Sequence, residues 1–171
     1  MKPQSSMGRI LLVTGRIALA LIFIYAAYAK MKPQMNSGWS AGSVRVSLSM
    51  FAMEIDSFQL LPARGVTLVA NTLPPFEFFL GIWLLSGIAL RYSSLITTLL
   101  LAAFFGVLIH AYALGQEISC GCFGPGERIG PQRLLIETGF LALALAVTIG
   151  AFRVHRRSSR TVPEPAPVEG A

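Results

Sequence analysis

Two cysteines, Cys120 and Cys122, stand one residue apart and are the only two in the chain. They sit in the run Cys120-Gly121-Cys122-Phe123-Gly124-Pro125-Gly126. A disulfide across so short a ring departs from ordinary geometry, so it is strained and exchanges readily. Gly121 removes the Cβ penalty on the backbone of that ring, and the following glycines and Pro125 build a tight turn. In an oxidising compartment a thiolate here can attack a partner disulfide. A passive bridge and a soft-metal site are the two other uses of the same pair.

Three further side chains could take part. Glu77 lies just inside an apolar stretch, where a carboxylate is costly and defaults to a functional hypothesis, or reaches headgroup water from near the end. Glu137 follows Arg133 by four residues, so the two can pair on one helix face. His110 falls one helical turn before the end of another apolar stretch. There it can modulate a thiolate, relay a proton, or serve as a hydrogen-bonded bundle histidine. Cys120, Cys122, Glu77 and His110 are the candidate reactive residues; soft-metal handling would use both cysteines and His110, and no resident metal is assigned. Arg16, also within an apolar stretch, either snorkels to the surface or faces the bundle. His155 falls on the opposite side from His110, so the chain alone cannot supply a bis-histidine haem.

The elements that must hold these groups follow from composition. Of 171 residues, 54% are hydrophobic and only 13% charged. Soluble domains carry roughly twice that charge. With a mean hydropathy of +0.64, the chain has too little charge to cover a water-soluble surface. Disorder, coiled coil and a disulfide-dense scaffold are excluded. Four stretches are long enough to cross a bilayer: Ile10–Ala29, about Pro75–Leu90, Ser93–Leu114 and Leu134–Phe152. The second is short unless its helix starts earlier, near Val66, and runs through Pro74 and Pro75 with a kink. Lys2, Arg9 and Ala27-Tyr28-Ala29 resemble a signal peptide, but the run is too long and Arg16 interrupts it, so it is read as a retained span. The fold class is therefore all-α, an integral membrane four-helix bundle.

Net charge is +6 with pI near 9.9, yet no basic stripe stands apart from the apolar stretches, so nucleic acid is not a partner. Lys2, Arg9, Arg91 and the cluster Arg153, Arg156, Arg157 and Arg160 share one side of a four-span chain. Lys30, Lys32, Arg45, Arg64, Arg128 and Arg133 are spread over the longer loops on the other. The positive-inside rule then puts both termini in the cytoplasm and the cysteine loop in the periplasm of a bacterial inner membrane. Membrane lipid is an expected partner, and the basic cluster favours anionic headgroups.

Within the first outer loop, Val44–Pro62 mixes apolar and charged residues as a short interfacial or re-entrant helix does. The domain plan is a cytoplasmic N-terminus over residues 1–9, a membrane domain over 10–152, and a basic then disordered cytoplasmic tail over 153–171. Tyr25, Tyr28 and Tyr112 fit an outer aromatic belt.

Taken together these pieces resemble the MauE branch of the DoxX-like membrane family. The matching residues are the Arg16-containing first span closing in Ala29-Lys30, then Leu60-Leu61-Pro62. Leu73-Pro74 with Glu77 and Gly81, Leu84-Leu85-Ser86-Gly87, and Cys120 to Gly124 complete the match. The likeness covers about residues 8–152. It implies a DoxX-like four-helix membrane domain tied to periplasmic thiol redox chemistry in methylamine utilisation. There, a helper acts with a thioredoxin-like partner in maturing a disulfide-rich dehydrogenase subunit. Cys120 and Cys122 match the family's cysteine pair and Glu77 its span-two carboxylate. The expected function is thiol–disulfide electron transfer with a periplasmic thioredoxin-like protein, with a quinone as a possible electron carrier. The alternatives are a docking subunit for a periplasmic oxidoreductase, without catalysis of its own, and soft-metal handling.

Overall fold

The computed structural model describes residues 6–33, 38–116 and 130–159. They form five helices in the order α1 (Ser6–Met31), α2 (Ala41–Ser57), α3 (Ala63–Ser86), α4 (Leu90–Ala113) and α5 (Pro131–Ser159), with no strand among the described residues. All but α2 are long and apolar enough to cross a membrane, over Ile10–Met31, Ala63–Ser86, Leu90–Ala113 and Pro131–Arg156. The all-α four-span expectation therefore holds. Large apolar side chains such as Leu11, Leu68, Phe79, Leu99 and Leu135 face outward, as a bundle solvated by lipid requires.

The second span begins well before the Pro75 boundary that the prolines suggest. It is helical from Ala63 and runs through Pro74 and Pro75. Each proline removes a donor that would have bonded the carbonyl four residues back, at Ala70 and Asn71. Packing makes this tolerable, because Pro74 is fully buried against its neighbours. α3 stops at Gly87, whose φ of +68° closes the helix in the left-handed region. Trp83 Nε1 donates to the Ile88 carbonyl at 2.9 Å across the turn. α5 continues past Phe152, so Arg153 and Arg156 belong to a helix.

α2 forms in the segment between the first two spans, where a short helix is expected. Ser40 caps it: its Oγ accepts from the Ser43 N–H at 3.1 Å, and Ser43 Oγ accepts from the Ser40 N–H. Ser47 and Phe51, one turn apart, are buried, and Ser47 Oγ donates to the Lys32 carbonyl at 2.9 Å. This tethers α2 to the end of α1. Its opposite face exposes Val46, Met50 and Met53 at helical spacing, the stripe of an interfacial helix.

α1 packs on α3, α4 on α5, and α1 also touches α5 and α2. The core is Leu19, Ala20, Phe23, Leu80, Leu84, Leu101, Ala144 and Val147. Close approach of α1 and α3 depends on Gly81: a Cβ there would stand 2.7 Å from Ile24 Cγ1 and 3.0 Å from the Ala20 carbonyl oxygen. α4 and α5 share a buried hydrogen bond between the Thr98 and Thr148 hydroxyls at 2.9 Å. At one end of the bundle, Arg91 Nη1 donates to His155 Nε2 at 2.7 Å, so the start of α4 meets the end of α5. The other end gathers the last turn of α1, α2, and the facing parts of α3, α4 and α5.

Candidate functional site

The second end holds a buried cluster of charge. Lys30, in the last turn of α1, is 6% exposed, and Glu77, on α3, is 8% exposed. Lys30 Nζ donates to both carboxylate oxygens, at 2.9 Å to Oε1 and 2.8 Å to Oε2. The ammonium also lies 5.5 Å from the centroid of the Phe51 ring, on α2, within cation–π range. One cation therefore joins three helices. On α5, Arg133 Nη2 donates to Glu137 Oε1 at 2.5 Å, and both residues are buried. This is the pairing that the four-residue spacing predicts.

The two ion pairs meet at one cavity of about 50 Å³. Lys30, Glu77 and Glu137 line it together with Leu73, Phe104 and Phe140. The cavity has room for a water molecule, but its lining is almost wholly apolar, and the charged groups that reach it are already paired. Burying an ion costs several kcal/mol, and two carboxylates matched by two cations keep the cluster neutral. A carboxylate of the cluster can take up a proton, at the cost of leaving one cation unmatched.

Glu77 and Glu137 are thus brought together, and Lys30 joins them. Lys30, a loop cation by its place in the sequence, pairs with Glu77 across 47 residues. His110 is not among the residues lining the cavity. It is exposed, because on that turn of α4 the inward positions are taken by Leu108 and Ala111. Cys120 and Cys122 lie outside the described residues. The segment carrying them joins α4 to α5 at the end of the bundle where the cluster lies.

Arg16 is half-buried, and its guanidinium lies against Gly87 in the turn that ends α3, where a Cβ would collide with it. An apolar groove of about 230 Å³ runs between α2, α3 and α4, lined by Phe51, Ile55, Phe58 and Val69 among others. Leu73 and Phe104 line both this groove and the charged cavity.

Fold and site define an integral membrane protein of the all-helical class, with four spans and a buried charge cluster at one end. The family described as methylamine utilisation protein MauE matches residues 8–150, and the chain belongs to that family. No curated protein and no solved structure matches the chain.

Proposed function

We propose that this protein is an inner-membrane component of methylamine utilisation that carries out thiol–disulfide exchange with a periplasmic thioredoxin-like protein. The observation that carries the reading is the Lys30–Glu77 pair, buried with Glu137 around one cavity at the end where the Cys120–Cys122 segment joins the bundle. A thiolate of the pair attacks the partner's disulfide, forming a mixed disulfide and expelling a partner thiolate. The second cysteine attacks that bond, closing Cys120–Cys122 and releasing the partner as a dithiol. Two electrons pass to the partner; two protons leave this chain's thiols and two are taken up by the partner's thiolates. The reverse sequence oxidises the partner instead. Glu77, held by Lys30, would carry protons only in the step that returns Cys120 and Cys122 to their starting redox state from within the membrane.

An isoprenoid quinone fits the residues present. Its tail would lie on Phe51, Ile55, Phe58 and Val69, and Leu73 and Phe104 connect that groove to the charged cavity. When bound, it would supply a two-electron, two-proton couple. A docking subunit without catalysis is the second reading, favoured by the exposed Val46, Met50 and Met53 face of α2. Redox titration of the purified protein against glutathione separates the two. Exchange predicts a reversible two-electron transition of Cys120 and Cys122, and no transition across the physiological range leaves the docking reading.

A further inference from the structure

Among the described residues, the end of the bundle away from Lys30 carries charge of one sign. Arg16 faces it from α1, Arg91 begins α4, and Arg153 and Arg156 close α5. None of the described carboxylates, Glu54, Asp56, Glu77 and Glu137, belongs to the helix ends that meet there. A cleft of about 440 Å³ opens at this end between α1, α4 and α5, lined by Leu12, Leu90, Arg91, Tyr92, Val154 and His155 among others. One part of its lining is aliphatic and the other is cationic and aromatic.

Arg91 is held in place for a ligand. Its Nη1 bonds His155 Nε2 at 2.7 Å, and its guanidinium lies 4.5 Å from the Tyr92 ring centroid. The histidine bond uses one of the five guanidinium donors. Ala89 offers α4 no side-chain cap, and the residues of that first turn line the same cleft. A planar, oriented guanidinium suits a phosphate more than a diffuse charge does. The aliphatic wall has no use for a free anion, and the cleft is built from membrane-crossing helices.

We infer that this cleft binds the phosphate headgroup of an anionic phospholipid from the surrounding bilayer, through Arg91, with an acyl chain along Leu12, Leu90 and Val154. The site is independent of the redox reading.

The test is native mass spectrometry of the full-length protein in non-ionic detergent, titrated with phosphatidylglycerol or phosphatidylcholine. Phosphatidylglycerol is expected to bind roughly tenfold more tightly, because phosphatidylcholine carries the same phosphate but offsets its charge with a quaternary ammonium that the Arg91 guanidinium repels. Arg91→Gln should reduce that to the phosphatidylcholine level. Val154→Glu, which leaves Arg91 and His155 in place on an exposed position, should do the same and stands in if Arg91→Gln fails to fold. Arg153→Gln, outside the cleft lining, should keep the preference. Equal binding of the two lipids would overturn the site outright, and a preference lost as fully in Arg153→Gln as in Arg91→Gln would overturn it in favour of diffuse charge. Displacement of phosphatidylglycerol by millimolar inorganic phosphate would overturn it in favour of a free-anion site.

Discussion

Lys30 Nζ bonds both carboxylate oxygens of Glu77, at 2.9 and 2.8 Å, across 47 residues of sequence. The pair fastens the last turn of α1 to the middle of α3 and forms one wall of the charged cavity. A buried ion pair is weak evidence for stability by itself, because desolvation offsets much of the attraction. Its two roles, strut and proton site, are separable by experiment.

Removing one partner strands the other charge. Lys30→Met and Glu77→Leu should each destabilise the bundle by about 3–5 kcal/mol, and the double variant should recover most of that loss. Unfolding in mixed micelles measures it. If the double variant is stable but inactive in exchange, the pair serves chemistry; if it is stable and fully active, the pair is a strut only.

Gly81 should be the least replaceable glycine of the spans. Its Cβ would press on Ile24 Cγ1 and on the Ala20 carbonyl oxygen, which cannot move aside without shifting α1. Gly81→Val should cost about 1–3 kcal/mol, the usual price of overpacking. Gly106→Val should cost less, since nothing lies within 4 Å of its Cβ position. Thermal unfolding of both variants in the same detergent checks the order, and equal midpoints would contradict the close α1–α3 contact.

Glu54, on α2 outside the spans, has its pKa raised by burial, an effect that Lys30 partly opposes. A raised pKa in the folded state favours the protonated form. The associated stability is present below the ordinary carboxylate range and is lost as pH rises through the folded value. Glu54→Gln should therefore flatten the stability profile across that window and leave the variant at least as stable near neutral pH. Lys30→Met should push the Glu54 transition higher, a shift that NMR titration of the carboxyl would detect. No change would place Lys30 outside its field.

Topology can be read at the cysteines. After reduction, Cys120 and Cys122 should be labelled by a membrane-impermeant maleimide in intact spheroplasts, as the arginines at the opposite bundle end require. Labelling only after lysis would put the loop in the cytoplasm.

The helices were legible because length and hydropathy alone demand membrane spans, and the Arg133–Glu137 pair because four residues make one helical turn. Lys30 was not. Its partner lies on another helix, and no periodicity relates position 30 to 77. The available signal was the small-residue run Ala26, Ala27 and Ala29 beside it, which lets α3 approach closely enough to bury the end of α1. The rotation of α4 had a signal in the sequence: Ser93, Ser94, Thr97 and Thr98 form a stripe of small polar residues that is buried, and its continuation through Leu101 reaches Leu108 and Ala111 and leaves His110 outward. The start of α3 was obscured by two prolines that read as a boundary until packing is known.

The most direct measurement is covalent capture at the cysteine pair. Cys120→Ser and Cys122→Ser are each expressed with the periplasmic proteins present, and thiols are blocked with acid before non-reducing electrophoresis. Loss of the resolving thiol leaves the mixed disulfide unreleased. One single variant should therefore show a slower, reductant-sensitive band containing a thioredoxin-like protein, and the double Ser variant none. Absence of any adduct in both single variants, with full activity in the double, would contradict thiol exchange at Cys120 and Cys122.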